Sequence, residues 1–219
     1  RDLHTAYRRQ RQMCIRDSVY DTNDEKWVVV YEDGTNGVMR TLTYDSSNDS
    51  FSASSSVTLK SGGLVGSSIA YDTNRNAGLA IYGTGSGTSS KVYFKKWTSS
   101  SGTLTLGSET EITNTTYGSY TKNANGAEAN IVFLPTRSLF IMIYSYTFDY
   151  GFGNRTWPIG INSAVIEANG TVTIANKATI ISSNAISGGP QTMVVDDSSN
   201  TVLIPVSYTH LTLPTICSV

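Results

Sequence analysis

Apolar residues recur along the chain in short blocks with strict alternation, as at Leu104/Leu106 and Val172/Ile174, and nowhere at helical spacing over ten or more positions. A period of two turns one face of the backbone inward, which is the pattern of a half-buried strand. Asp, Asn, Gly and Ser separate the blocks and supply the turns. Two runs, 28–30 and 140–143, are apolar on both faces, as expected of strands sandwiched between neighbouring sheets. The pattern predicts an all-β protein with essentially no helix.

The blocks repeat. Tyr20-Asp21-Thr22-Asn23 precedes Trp27-Val28-Val29-Val30-Tyr31, and 51 residues later Tyr71-Asp72-Thr73-Asn74 precedes Leu79-Ala80-Ile81-Tyr82. Less perfect copies are Leu134-Pro135-Thr136, leading to Leu139-Phe140-Ile141-Met142-Ile143-Tyr144, and Val195-Asp196-Asp197, leading to Val202-Leu203-Ile204. With Pro135-Thr136 laid on Asp72-Thr73, the third copy stands 63 residues after the second. An alternating stretch of eleven residues follows each of the first three copies, at 49–59, 102–112 and 170–180.

In the second unit the strands fall at 67–73, 78–83, 92–98 and 103–112. Four antiparallel strands in a repeat of about 50 residues is the blade of a β-propeller, a ring of about 4 to 8 such blades; a stacked β-solenoid is the alternative. The expected units are blade 1 at 19–64, blade 2 at 65–118, blade 3 at 119–186 and the first half of blade 4 at 187–205. The expectation is therefore about three and a half blades of a larger ring. The remaining blades of the same protein are its first partners, and apolar faces are left open at both ends.

Both ends of the sequence break this pattern. Residues 1–18 read RDLHTAYRRQRQMCIRDS, and 206–219 read VSYTHLTLPTICSV. Both resemble translated sequencing adapter of the Nextera transposon type: one oligonucleotide encodes RRQRQMCIRDS in one sense and VSYTHLTLPT as its reverse complement. The resemblance implies that the protein proper is 19–204, and that the tails make little contact with it.

That division changes the chemistry available. Cys14, Cys217, His4 and His210 all lie in the tails, so 19–204 holds neither Cys nor His and carries 11 basic against 15 acidic residues, a net charge of −4. This excludes Cys–His and Ser–His–Asp catalysis, His- or Cys-ligated zinc and disulfides. An acidic balance also argues against binding nucleic acid through its phosphates. No apolar run approaches the roughly 18 residues of a membrane-spanning helix, so no membrane insertion is expected.

The Tyr-Asp-Thr-Asn turns, the Val28-Val29-Val30-Tyr31 strand and Gly102-Thr103-Leu104-Thr105-Leu106-Gly107-Ser108-Glu109 together resemble the β-propeller-like repeats of large marine bacteriophage tail or virion structural proteins. The resemblance implies a structural or receptor-binding role without catalysis, located on a virion or outside the cell. The alternative is a secreted or surface bacterial propeller that binds carbohydrate or hydrolyses glycosides.

Four groups of residues are candidates for chemistry. Asp21 and Asp72 sit in Asp-x-Asn frames that turn chemistry explains, with calcium as the weaker alternative because the glycine and distal Glu of a calcium loop are missing. Lys91, Lys95 and Lys96 interleave with Tyr93, Phe94 and Trp97, either as a nucleic-acid platform or, in better accord with the charge, as a lysine-protected edge. Gly83-Thr84-Gly85-Ser86-Gly87 reads as a hairpin tip, since no helix follows to make it a phosphate loop. The acids Glu32, Asp33, Asp45, Asp49, Glu109, Glu111, Glu128, Asp149 and Glu167 lie mostly in hairpins, where solvated charge is the default, and not as the facing pair a glycosidase needs. No metal or cofactor is called.

The extra length of the third unit falls within 144–160, where Tyr144, Tyr146, Phe148, Tyr150, Phe152 and Trp157 interleave with Asp149, Asn154 and Arg155. Sugar rings stack on aromatic faces while carboxylate, amide and guanidinium groups bond their hydroxyls. Tyr146, Tyr150, Trp157, Asp149, Asn154 and Arg155 are accordingly the expected ligand-binding residues, with a cell-surface glycan as the partner. Packing of the same aromatics between blades is the competing expectation.

Overall fold

A computed structural model describes residues 15–64, 66–84, 91–112, 122–149, 155–156, 159–181, 193–196 and 198–204. Every strand pairing in it is antiparallel, and the strands form four sheets in sequence order. Sheet 1 holds β1 (Ile15–Asp21), β2 (Lys26–Glu32), β3 (Gly37–Asp45), β4 (Ser50–Ala53) and β5 (Val57–Lys60), the last two sharing one edge of β3. Sheet 2 repeats this with β6 (Ser67–Asp72), β7 (Ala77–Thr84), β8 (Lys91–Ser100), β9 (Thr103–Leu106) and β10 (Thr110–Glu111). Sheet 3 holds β11 (Lys122–Leu134), β12 (Leu139–Asp149), β13 (Arg155–Thr156), β14 (Ile159–Ile166) and β15 (Val172–Ile181); β16 (Val194–Asp196) and β17 (Thr201–Leu203) form sheet 4. Among the described residues the only helical turn is a single 3-10 turn, Pro135–Arg137, and among them no helix is long and apolar enough to cross a membrane.

The first hairpin of each sheet has one register. Asp21 lies opposite Lys26, Asp72 opposite Ala77, Leu134 opposite Leu139 and Asp196 opposite Thr201. In all four the residue closing the turn is left-handed: Glu25, Asn76, Ser138 and Asn200, with φ between 47° and 53°. Leu134, not Pro135, therefore stands where Asp72 does, which places the third copy 62 residues after the second and corrects the offset of 63. Tyr31, Tyr82 and Tyr144 occupy equivalent positions, each five residues beyond the first residue of its second strand.

Alternation divides the central strands between two cores. On β7, Ala80 and Tyr82 join Val28, Val30, Met39 and Leu59 of sheet 1, while Leu79 and Ile81 join Phe140, Met142 and Ile166 of sheet 3. On β12, Phe140 and Met142 face sheet 2 while Ile141 and Ile143 pack with Met193 and Val202. Burying apolar surface on both faces in this way supplies most of the favourable folding free energy.

The boundary drawn between Ser18 and Val19 does not coincide with an element boundary. Ile15–Asp21 is one strand, and Asp17, expected to make little contact with the fold, accepts hydrogen bonds from Ser68 Oγ at 2.7 Å and Ile69 N at 2.9 Å. Residues 1–14 and 205–219 lie outside the described residues.

Candidate functional site

The repeated turns use their carboxylates internally. Asp21 Oδ1 accepts from the backbone N–H of Asn23 and Asp24 at 2.9 and 3.1 Å, and Asp72 Oδ1 from Asn74 and Arg75 at 2.8 and 3.2 Å. Asp196 Oδ1 accepts from Ser198 N at 3.0 Å. This is the Asx turn, in which a short side chain holds its own backbone. Among the described residues no group of three or more His, Cys, Asp or Glu gathers where a cation would be held.

A second layer of polar contacts joins each sheet to the next. Asp24 accepts from Gly102 N at 2.7 Å and from Ser99 Oγ. Burial pulls its pKa up, but these bonds and the charge of Lys26 outweigh that and hold it below the ordinary carboxylate value. The Tyr71 hydroxyl donates to Asn76 Oδ1 at 3.4 Å and lies near Asp21 of the preceding turn; burial first, then that carboxylate, push its phenol well above the usual range. Asn74 Nδ2 donates to Ser138 Oγ at 2.8 Å, Arg75 Nε to Ile166 O at 3.2 Å, and the Thr136 hydroxyl to Asn200 Oδ1.

The lysine cluster belongs to this layer. Successive lysines on β8 point to opposite neighbours: Lys95 Nζ donates to Leu59 O of sheet 1 and Lys96 Nζ to Gly170 O beyond β14, both at 2.6 Å. Phe94 and Trp97 are buried, so the aromatics needed for a base-stacking platform are inside the protein. Glu109 accepts from the Tyr82 hydroxyl at 2.6 Å and lies 3.5 Å from Lys60 and 4.0 Å from Lys95. Burial and this carboxylate raise the Tyr82 phenol far above its ordinary value. Glu111 pairs with Lys91 at 2.9 Å, and Glu32 accepts from Leu64 N. These acids are cross-links, and sequence spacing alone does not reveal them because each partner lies in a different strand or sheet.

The edge strands β1, β6 and β11 carry Asp17, Ser68 and Asn130 at one equivalent position. Ser68 Oγ donates to Asp17 and contacts Asn130 Oδ1 at 3.1 Å; Ile69 N donates to Asp17 and Ile131 N to Ser68 Oγ. Side chains of one edge strand thus satisfy amides on the free edge of the next, which a bare edge strand would leave to another chain.

The third sheet departs from the other two in its second strand. The pairing of β12 with β14 ends at Ser145 opposite Ile159, yet β12 runs on to Asp149. Over that extension it pairs on one side with β11, Lys122 opposite Phe148, and on the other with β13, Phe148 opposite Thr156 and Asp149 opposite Arg155. A narrow three-stranded extension results, with Tyr146, Asp149 and Arg155 in its strands; Tyr150, Asn154 and Trp157 lie outside the described residues. Tyr144 is not part of it: it is buried, with its hydroxyl donating to Asn162 Oδ1 at 2.8 Å.

No protein-family model matches the chain, and no curated protein matches it. Among solved structures it is similar to an N-acetylgalactosamine deacetylase from F. plautii in complex with blood group B trisaccharide, at 13% identity and a TM-score of 0.43, over 76% of this chain and 52% of the other. The chain thus spans about half the length of that structure. The expectation of a protein without catalysis is corrected against this finding, since the matched structure is that of an enzyme. At this TM-score neither the activity nor the substrate of that protein passes to this chain.

Proposed function

We propose that the chain is part of a β-propeller-type array and that the extension of its third sheet binds carbohydrate. The observation that carries the reading is the local hairpin of β12 and β13, in which β12 carries Tyr146 and Phe148 past the end of its pairing with β14 while held by ladders on both sides. Binding residues on a short loop over a rigid sheet lose little entropy on capture, and ring-stacking aromatics beside carboxylate, amide and guanidinium groups suit a sugar. Tyr146, Tyr150 and Trp157 would stack, and Asp149, Asn154 and Arg155 would bond hydroxyls. The phage appendage implied by the sequence resemblance and its alternative, a bacterial surface, would both bring such a module against cell-surface glycan.

The test is a glycan array probed with the chain and with a Tyr150→Ala, Trp157→Ala variant whose circular dichroism is unchanged. Binding to a defined glycan class that is lost in the variant supports the reading; equal binding by both proteins, or none by the parent chain, removes it.

A further inference from the structure

The face of sheet 1 that turns away from sheet 2 carries Tyr20 and Trp27, each 40% exposed, with Tyr44 and Phe51 further out at 49% and 61%. By register, Tyr20, Leu42, Tyr44 and Phe51 stand where sheet 2 has Tyr71, Trp97, Ser99 and Leu104. All four of those sheet 2 residues are buried, on the face packed against sheet 1. The open part is the half nearest the β1–β2 hairpin, since Val29 and Val38 on the same face are already buried.

At the other end of the array, Val194 and Leu203 are 54% and 45% exposed on the outward face of sheet 4. They stand at the positions of Val19 and Val28, which pack in one cluster with Tyr71 and Trp97 across the sheet 1–sheet 2 interface. Asp196 likewise stands at the position of Asp21, the carboxylate near Tyr71. One open face therefore presents the tyrosine half of the repeated contact, and the other presents the aspartate and aliphatic half.

We propose that these two faces dock head to tail, the occupant of each being a second copy of this chain, with Tyr20 of one copy donating to Asp196 of the next and Trp27 covering Val194 and Leu203. The contact continues the interface already made inside the chain between sheets 1 and 2. A head-to-tail contact uses different surfaces on the two partners, so it propagates unless it closes into a ring. The inference is independent of the carbohydrate reading and fails or stands separately.

The experiment is sedimentation velocity on the full chain and on Trp27→Lys and Leu203→Lys, both at exposed positions and both checked for unchanged circular dichroism. The parent chain associates progressively with concentration. Each variant alone loses association, and an equimolar mixture gives heterodimers and nothing larger, because one intact face of each kind remains. Tyr20→Glu, which sets a carboxylate against Asp196, gives the same loss and serves if Trp27→Lys does not fold. A parent chain that is monomeric at all concentrations, or a mixture that stays monomeric, overturns the proposal.

Discussion

Tyr71 and Phe133 occupy the same place in consecutive sheets and differ by one hydroxyl. The Tyr71 phenol is raised in part by Asp21 of the sheet before it, whereas Asp72, fully buried and one sheet later, has an Oδ2 with no hydrogen-bond partner among the described residues. A buried polar atom left unpaired costs about 1–3 kcal/mol. Phe133→Tyr should therefore raise stability by about 1 kcal/mol, and Tyr71→Phe should lower it by a similar amount, both read from urea midpoints. The phenols of Tyr71 and Tyr82 are raised above the unfolded value of about 10, so their contribution is complete below that pH. Above it the unfolded chain ionises first, and stability falls as pH rises. Asp24 is lowered, so its contribution is present above about pH 4 and is lost as pH falls further. Thermal unfolding from pH 3 to 11 should show a plateau between these limits, with a shallower alkaline fall in Tyr82→Phe.

At the scale of the element, the hairpin is the unit that repeats, and its turn is what the sequence displays most openly. Asp21, Asp72 and Asp196 announce their turns because the Asx bond is made within three residues of the aspartate. The third hairpin keeps the same left-handed fourth residue, Ser138, on a Leu-Pro-Thr sequence, so matching Pro135 to Asp72 misses by one. Contacts between sheets were not legible: alternation along β8 places Lys95 and Lys96 on opposite faces but does not say that each ends on a neighbour's carbonyl. The pairing of Gly78 with Trp97 was equally hidden. A Cβ on Gly78 would lie 2.2 Å from Trp97 Cε2 and 2.5 Å from the Ala70 carbonyl, while sheet 1 carries Trp27 at the equivalent position and Leu42 opposite it. The two sheets thus put their indole on different strands. Gly78→Ala should cost about 2–3 kcal/mol, since neither the buried indole nor the backbone can give way, with a matching drop in the urea midpoint.

For the molecule as a whole, three sheets and a two-stranded fourth are stacked by apolar clusters between neighbours, by polar contacts from each first turn to the next sheet, and, across the first three sheets, by edge-strand side chains that accept from amides of the next strand. The all-β class and the repeat were readable because a two-residue period is local. The function was less so, because the residues that set the third sheet apart differ from core aromatics only in where the strand carries them. Tyr144 went inward while Tyr146 lies on the part of β12 that outruns β14. The central claim is that this extension is a carbohydrate-binding element carried on a sheet array that does not need it to fold. The most direct measurement replaces 146–158 with an Asn-Gly turn, closing β12 onto β14 after the Ser145–Ile159 pair, and titrates both proteins calorimetrically with the glycan selected by the array. The account predicts a shortened protein with an unchanged β spectrum and no heat of binding; a shortened protein that binds the glycan as tightly as the parent would contradict it.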